Sequence, residues 1–512
     1  MAFMKTITSL PRSAAEFVPW NLSHSAARRR GNNICAALVK QYSSGELIHG
    51  SSDWRMIRPA TPDEICYDTF HKHYARQAMG RFVFNSKKPF GEEEWRKALR
   101  HTTNKVEVLR LCLEEREGNL MLYEVQNHDI EFKIIENKSS LEVAEDLKNE
   151  GLDLSFWSAR VIPAVPGEVY PIPDLKEEFP YQYNFILKFH HGLWDGSTYA
   201  YFFRVFSEIL DDVLCGKTVN DDISFGKFQY EDPLETKIKE VKQTLEIDQL
   251  RLDEEKKQML SLTMKPPILY SAFPVPKGVK ATTHHIVRTI DNAKVNTLHK
   301  YCKSREVTVT AGFEAMFNTA LIEMVTDAGV VEDGYKINIR QIIDMRRYIK
   351  VTRDFTKFPL GYFLGGMQQE TFCKKSPREH FWEHAQELSR NFHSLLKNDG
   401  PIIESIVRPL VQGPLDPEML ANDPQDMSDY AFSNVLDVTR SVFYEGAQVQ
   451  LTKITAYNYI DKFLHPLLFQ FNTYRGIGTL SLSHDTGKVT DETANELMDR
   501  VMDVLEYVTR SE

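Results

Sequence analysis

Residues 183–214 constrain this chain more than any other stretch, because they pass from a two-residue to a helical periodicity across one short turn. From Tyr183 to Phe189 the residues alternate. Phe185, Leu187, Phe189 and His191 project to one side, and Asn184, Ile186, Lys188 and His190 to the other, as along a β-strand. From Ser197 or Thr198 onward, Tyr199, Phe202, Phe203, Phe206, Ile209, Leu210, Val213 and Leu214 recur on one face of a helix, and Gly216 stands where a left-handed C-terminal cap belongs. A strand that hands the chain to an amphipathic helix implies a sheet with helices laid against it. The end of such a strand is where open sheets present reactive groups.

The same patterning recurs elsewhere. Glu92 to Leu113 reads as a helix that turns into extended structure, Leu120 to Val125 and Ile130 to Ile135 as strands, and the proline-rich stretch from Ala164 to Tyr181 as a loop. Residues 234–261 carry many charges but keep Ile238, Val241, Leu245, Leu252 and Met259 at helical spacing, and Pro266, Pro267, Pro274 and Pro276 follow. This predicts a helical connection, with a partner-binding helix as the lesser reading. Beyond it, His285 to Ile290 and Lys336 to Ile343 read as strands, and Val309 to Met324 and Glu492 to Tyr507 as helices. At 512 residues the chain exceeds one hydrophobic core. The expected division is a basic leader at 1–50, an N-terminal domain at 51–230, a crossover at 231–280 and a C-terminal domain at 281–512.

Charge and cysteine usage exclude several function classes. With 72 acidic against 62 basic side chains the net charge is -10, so no general positive field would gather phosphate backbones, and nucleic acid is not an expected partner. Cys35, Cys66, Cys112, Cys215, Cys302 and Cys373 include no Cys-x-x-Cys pair; they read as buried thiols rather than a disulfide framework or a zinc cage. No apolar run is long enough for a transmembrane helix. The first 45 residues hold six basic side chains and one acid, Glu16, so a cytoplasmic location is expected, with a mitochondrial presequence as the alternative. No phosphate-cradling or dinucleotide glycine fingerprint is present.

The segment His190-His191-Gly192-Leu193-Trp194-Asp195-Gly196 carries the chemistry. A neutral imidazole with a pKa near 6.5 can accept a proton at cellular pH, and His191 stands at a strand end where a substrate could reach it. Asp195, at the turn into the helix, reads as a cap or a cation partner more readily than as a catalytic acid. Gly196 leaves its backbone open to a ligand. A bare His-His pair is weak evidence, and the chain holds a control. His284-His285 also lies in a strand-like segment but lacks a following Asp-Gly, so it reads as structural or solvent-exposed.

The full pattern His-His-x-x-x-Asp-Gly between a strand and a helix resembles the signature of the CoA-dependent acyltransferase superfamily, which includes condensation domains, alcohol acetyltransferases and the plant BAHD enzymes. Further matches are Asp344-Met345-Arg346, Pro359-Leu360-Gly361-Tyr362-Phe363-Leu364-Gly365, Ser433-Asn434, Thr473 to Gly476, and Leu480 to Ser483. The Asp-Phe-Gly-Trp-Gly element of the plant branch is absent, so the likeness is to the other two branches.

The resemblance implies an α/β (α+β), two-domain chloramphenicol-acetyltransferase-like fold, with mixed sheets flanked by helices and a channel at their interface. It implies His191 as general base, His190 as support for the fold, and Asp195 as a structural orienter paired with Arg346. Ser433 and Asn434 would lie beside the reaction centre, contacting substrate or CoA. The expected reaction moves an acyl group, preferably acetyl, from acyl-CoA to a hydroxyl of a small molecule, with an amine acceptor, a carrier-protein donor or a non-catalytic binding protein as alternatives. Acyl-CoA serves as co-substrate, with no permanently bound cofactor, no metal, and a monomer as the expected state.

Overall fold

The computed structural model describes residues 54–510 apart from 75–77, 127–129, 151, 153–155, 223, 232–233, 264, 276, 350, 352–354, 413–427 and 461–464. The basic leader expected at 1–50, and Cys35 with it, lies outside the described residues. In chain order the strands are β1 (Trp54–Pro59), β2 (Ala78–Ser86), β3 (Leu111–Arg116), β4 (Asn119–Val125), β5 (Phe132–Ile134), β6 (Trp157–Pro163), β7 (Tyr181–Phe189) and β8 (Lys227–Phe228). They continue with β9 (Thr283–Ile290), β10 (Gly334–Asp344), β11 (Pro359–Leu360), β12 (Leu364–Lys374), β13 (Tyr430–Asp437), β14 (Val449–Asn458), β15 (Leu467–Tyr474) and β16 (Ile477–Asp485).

Two mixed sheets dominate. One runs β14-β2-β7-β6-β5, the other β12-β10-β13-β15-β16-β9, and smaller sheets pair β1-β4-β3 and β11-β8. In the first sheet β7 is central, antiparallel to β2 on one side and to β6 on the other. Its alternation sorts its side chains as expected. Phe185, Leu187 and Phe189 enter the main core with Phe82, Phe84 and Trp95, while Ile186 joins a smaller cluster with Val143 and Leu147 on the opposite face. The helix Gly196–Leu214 buries Phe202, Phe203, Phe206, Ile209 and Leu210 against the main core. The rings of Phe202 and Phe206, one turn apart, stack with centroids 5.6 Å apart. Burying each such ring stabilises the fold by about 1.5–3 kcal/mol. Gly216, at φ +70°, closes the helix.

The helix Glu92–Lys105 opens with three glutamates and buries Trp95, Ala98, Leu99 and Thr102 at three- and four-residue intervals. In the second half the helix Val309–Asp327 is buried along almost its whole length, between the second sheet and the helices Phe381–Lys397 and Asp491–Thr509. The connection foreseen at 234–261 is a pair of helices, Glu235–Ile247 and Gln249–Thr263. Val241, Leu245, Leu252 and Met259 pack with Ile402, Ile403 and Val407 of the helix Gly400–Gln412.

The sheets do not follow chain order: β14, from the C-terminal part of the chain, is a strand of the first sheet. It runs antiparallel to β2, from Val449 opposite Ser86 to Asn458 opposite Ala78. One expectation requires correction: the described cysteines are free thiols, but not all are buried, since Cys112, Cys302 and Cys373 are, whereas Cys66 is half-buried and Cys215 exposed at the end of its helix. No helix among the described residues is long and apolar enough to cross a membrane.

Candidate active site

Strand β7 ends at Phe189, so the two histidines sit just past it, where the chain turns before the helix Gly196–Leu214. Their partners give them opposite tautomers. His191 Nδ1 lies 2.8 Å from the carbonyl oxygen of Trp194. A carbonyl can only accept, so Nδ1 carries the proton and Nε2 presents a bare lone pair. His190 Nδ1 lies 3.2 Å from the amide nitrogen of Gly192. An amide N–H can only donate, so here Nδ1 is bare and the Nε2 proton faces Asp68 Oδ1 at 3.8 Å, too far for a direct hydrogen bond. His190 is fully buried, packed against His71 and Phe156. His191 keeps partial solvent exposure. Burial pushes its pKa below the usual histidine value, against the opposing pull of the Trp194 carbonyl and of Asp195, so the neutral ring prevails at pH 7.

Gly192 allows this turn by close approach. A Cβ there would stand 2.9 Å from Tyr67 Cβ and 3.0 Å from His190 Cε1. Tyr67, from the helix Pro62–Tyr74, lies beside the His191 ring with centroids 5.2 Å apart, and Tyr362 approaches edge-on at 5.9 Å. Tyr362 Oη donates to Tyr67 Oη at 2.9 Å. Burial raises both phenol pKa values, so both stay protonated.

Asp195 does two things at once. Its Oδ1 accepts from the amide of Thr198 at 2.8 Å, capping the helix. Its Oδ2 meets Arg346 Nη1 at 2.5 Å and accepts from the amide of Phe363 at 2.9 Å. The carboxylate is wholly buried, and Arg346 nearly so. The guanidinium also donates to the carbonyl oxygens of Pro359 (2.9 Å) and Gly361 (3.2 Å) and to Thr198 Oγ1 (3.0 Å), and lies over the ring of Phe363 at 4.3 Å. Asp344 accepts from the backbone amide of Arg346 at 2.9 Å and from Ser197 Oγ at 2.7 Å. A fixed fork of donors matches this geometry, which the point charge of a lysine would not.

Thr198 was not singled out from sequence, yet its hydroxyl holds the clasp together. It donates to the carbonyl of Gly361 at 2.8 Å and accepts from the amide of the same residue at 3.0 Å. Gly361 has φ +133°, a conformation side chains rarely adopt. The available signal for Thr198 was its place three residues after the capping aspartate. For Tyr67 there was none, since a tyrosine on a helix reads as core.

Gly196 is the first residue of its helix, and a Cβ there would meet only Val435 Cγ1, at 3.8 Å. Protein atoms therefore leave space over its backbone. That contact also brings the end of β13 to the heptad. Ser433 and Asn434 lie in β13, not in a loop, and both are half-buried. Asn434 donates to Thr310 Oγ1 at 3.0 Å and accepts from the amide of Leu436 at 2.9 Å. The pairing of β13 with β15 shifts register between Asn434 and Leu436, and Leu436 has φ +64°. Asn434 thus supports a bulge.

Taken with the sheet topology, this architecture is the two-domain chloramphenicol-acetyltransferase-like fold. The chain has a TM-score of 0.63 at 11% identity with TRI3 trichothecene 15-O-acetyltransferase from Fusarium sporotrichioides, over 91% of this chain and 98% of that one. With the first condensation domain of the CDA synthetase the TM-score is 0.62 at 12% identity, over 88% and 96%. With the condensation domain of the monacolin K polyketide synthase MokA it is 0.59 at 11% identity, over 90% and 98%. These likenesses establish the fold.

The model of the alcohol acetyltransferase family matches residues 177–411, a span that holds the heptad, Arg346 and the Pro359–Gly365 element. By that match the chain is an acyltransferase, and the match points to an alcohol as acceptor. Among curated proteins none matches its sequence.

Proposed function

We propose that this enzyme transfers an acyl group, preferably acetyl, from acyl-CoA to the hydroxyl of a small molecule, with His191 as general base. The observation that carries the reading is the hydrogen bond from His191 Nδ1 to the Trp194 carbonyl at 2.8 Å. It leaves Nε2 as the proton-accepting atom and fixes the ring's direction. As the acceptor oxygen attacks the thioester carbon, its proton passes to Nε2. The resulting imidazolium is stabilised by the Trp194 carbonyl and returns the proton to the departing thiolate. The acyl–sulfur bond breaks and an ester forms, with no acyl-enzyme between. A positioned base of this kind contributes roughly a hundred- to ten-thousandfold in rate.

The remaining residues act through position. Asp195 and Arg346 hold the turn that carries His191, Gly196 leaves an open backbone beside it, and Ser433 and Asn434 lie in the middle of β13, next to Val435, which approaches Gly196. Covalent catalysis by the buried thiols is disfavoured, because burial pushes Cys112 and Cys302 up to about 12. The donor and acceptor would meet at His191 from opposite mouths of a channel between the halves.

The test is release of free thiol by the purified chain from acetyl-CoA and longer acyl-CoAs, with a panel of alcohols and amines. Alcohol-dependent release with ester formation is expected. Release only with amines would overturn the acceptor assignment, and turnover only with a carrier-bound thioester would overturn the donor.

A further inference from the structure

The second histidine pair leads to a different site. β9 and β16 run antiparallel, with His284 directly opposite His484. Side chains of directly opposed residues on one face of a sheet stand about 4.5–5.5 Å apart at Cβ, so the register alone brings the two imidazoles together. β16 ends at Asp485, and the chain turns back into the helix Asp491–Thr509. That helix is capped by Thr490, whose side chain accepts from the amide of Thr493, so the carboxylate of Asp491 is not needed for the cap. It turns instead to the two rings. Asp491 Oδ1 lies 2.8 Å from His284 Nδ1 and 2.9 Å from His484 Nε2.

We propose that His284, His484 and Asp491 form a binding site for a divalent transition-metal ion, zinc being the ion best suited to it. One ligand atom from each residue lies within 4.8 Å of the other two. Two imidazole nitrogens and one carboxylate oxygen form a donor set that zinc accepts, at about 2.0–2.2 Å per bond. Tetrahedral bonds of that length place ligand atoms about 3.3 Å apart. The present spacings of 2.8 and 2.9 Å therefore need to open by about half an ångström, within the reach of the exposed side chains of His284 and Asp491.

On binding, the ring nitrogens that face Asp491 give up their protons and offer the freed lone pairs to the metal. For His484 this breaks no second hydrogen bond, since its Nδ1 has no partner among the described residues. Three protein ligands leave a coordination position for water. The ion would fasten β9, the edge strand of the second sheet, to β16 and to the start of the terminal helix.

The test is isothermal titration of the full, chelator-treated chain with zinc chloride, alongside His284→Ala and Asp491→Asn. These side chains are 43% and 51% exposed, so both variants are expected to fold, which circular dichroism checks. One zinc per chain should bind to the wild type and raise its thermal midpoint, while each variant loses affinity by roughly tenfold or more. Cobalt in place of zinc should give the visible absorption of a tetrahedral site in the wild type alone. Because the chain has sixteen histidines, the comparison decides: equal affinity in all three proteins, or no binding by the wild type at micromolar zinc, would overturn the site. Neither result bears on acyl transfer.

Discussion

The chain contains two His-His dipeptides, and the contrast between them shows what makes such a pair chemical. His190-His191 lies just beyond the end of a central strand, where the backbone is turning and its carbonyls and amides are free to bond the rings. His284-His285 lies within a paired strand, where the regular extended backbone simply alternates the rings between faces. His284 emerges toward Asp491. His285 goes to the other face, against Tyr457 and Tyr459, with its Nδ1 2.9 Å from Ser483 Oγ. Burial drives its pKa down to about 3, so it is neutral, with its Nε2 buried. A neutral imidazole is common to His191 and His285. Only His191 has its tautomer fixed by a backbone carbonyl, whereas the Nε2 of His285 is buried without a partner among the described residues.

Breaking the first pair should have the largest effect. His191→Ala is expected to lower kcat/KM by roughly a hundred- to ten-thousandfold while the circular dichroism spectrum stays unchanged. The same change in the second pair, His285→Ala, should leave kcat intact and cost about 2 kcal/mol of stability through lost packing and an unpaired Ser483. Comparable activity losses in both variants would erase the distinction.

The clasp behind His191 comes next. Arg346→Ala leaves the buried carboxylate of Asp195 without its cation, and urea unfolding should register a loss of about 3–5 kcal/mol. Arg346→Lys should recover only part of this, since a single ammonium cannot reach Asp195, Thr198 and both carbonyls together. Full recovery would show that charge alone suffices.

Acid should sharpen the contrast between buried and accessible imidazoles. Burial lowers His71 and His384 to about 4, so the unfolded chain binds their protons more readily than the native one. Stability from these two groups is complete above the unfolded value near 6.5 and falls as pH drops toward 4, by roughly 2.7 kcal/mol per pH unit for two protons. Unfolding midpoints measured between pH 7 and 4 check the sign; a midpoint that rises on acidification would contradict it. The smallest effect is expected from Asn434→Ala, about 1 kcal/mol from the bulge hydrogen bonds, with a larger change in KM if the same residue also touches substrate.

What was legible in the sequence follows from what is local. The strand, turn and helix around the heptad could be read from periodicity, because each face is sorted by burial within a few residues. Asp195 admitted two readings, cap and cation partner, and it fills both roles through different oxygens. The resemblance supplied Arg346 as its partner; no local pattern could, since the two are 151 positions apart. The course of β14 was invisible for a similar reason. Val449–Asn458 carries nothing that says it pairs with Ala78–Ser86 rather than with a neighbour in sequence, and register across such a distance is fixed only by the assembled core. Tyr67 and Thr198 were missed because their roles lie in contacts with the Tyr362 and Gly361 segment, not in their own surroundings along the chain.

The central claim is that Nε2 of His191 takes the proton, and the pH dependence of kcat/KM for thiol release tests it most directly. The account predicts a limb that rises through a single ionisation below pH 6.5 and stays level to about pH 8. That limb should vanish from the residual activity of His191→Ala. The same ionisation persisting in the variant would place the base on another residue and contradict the account.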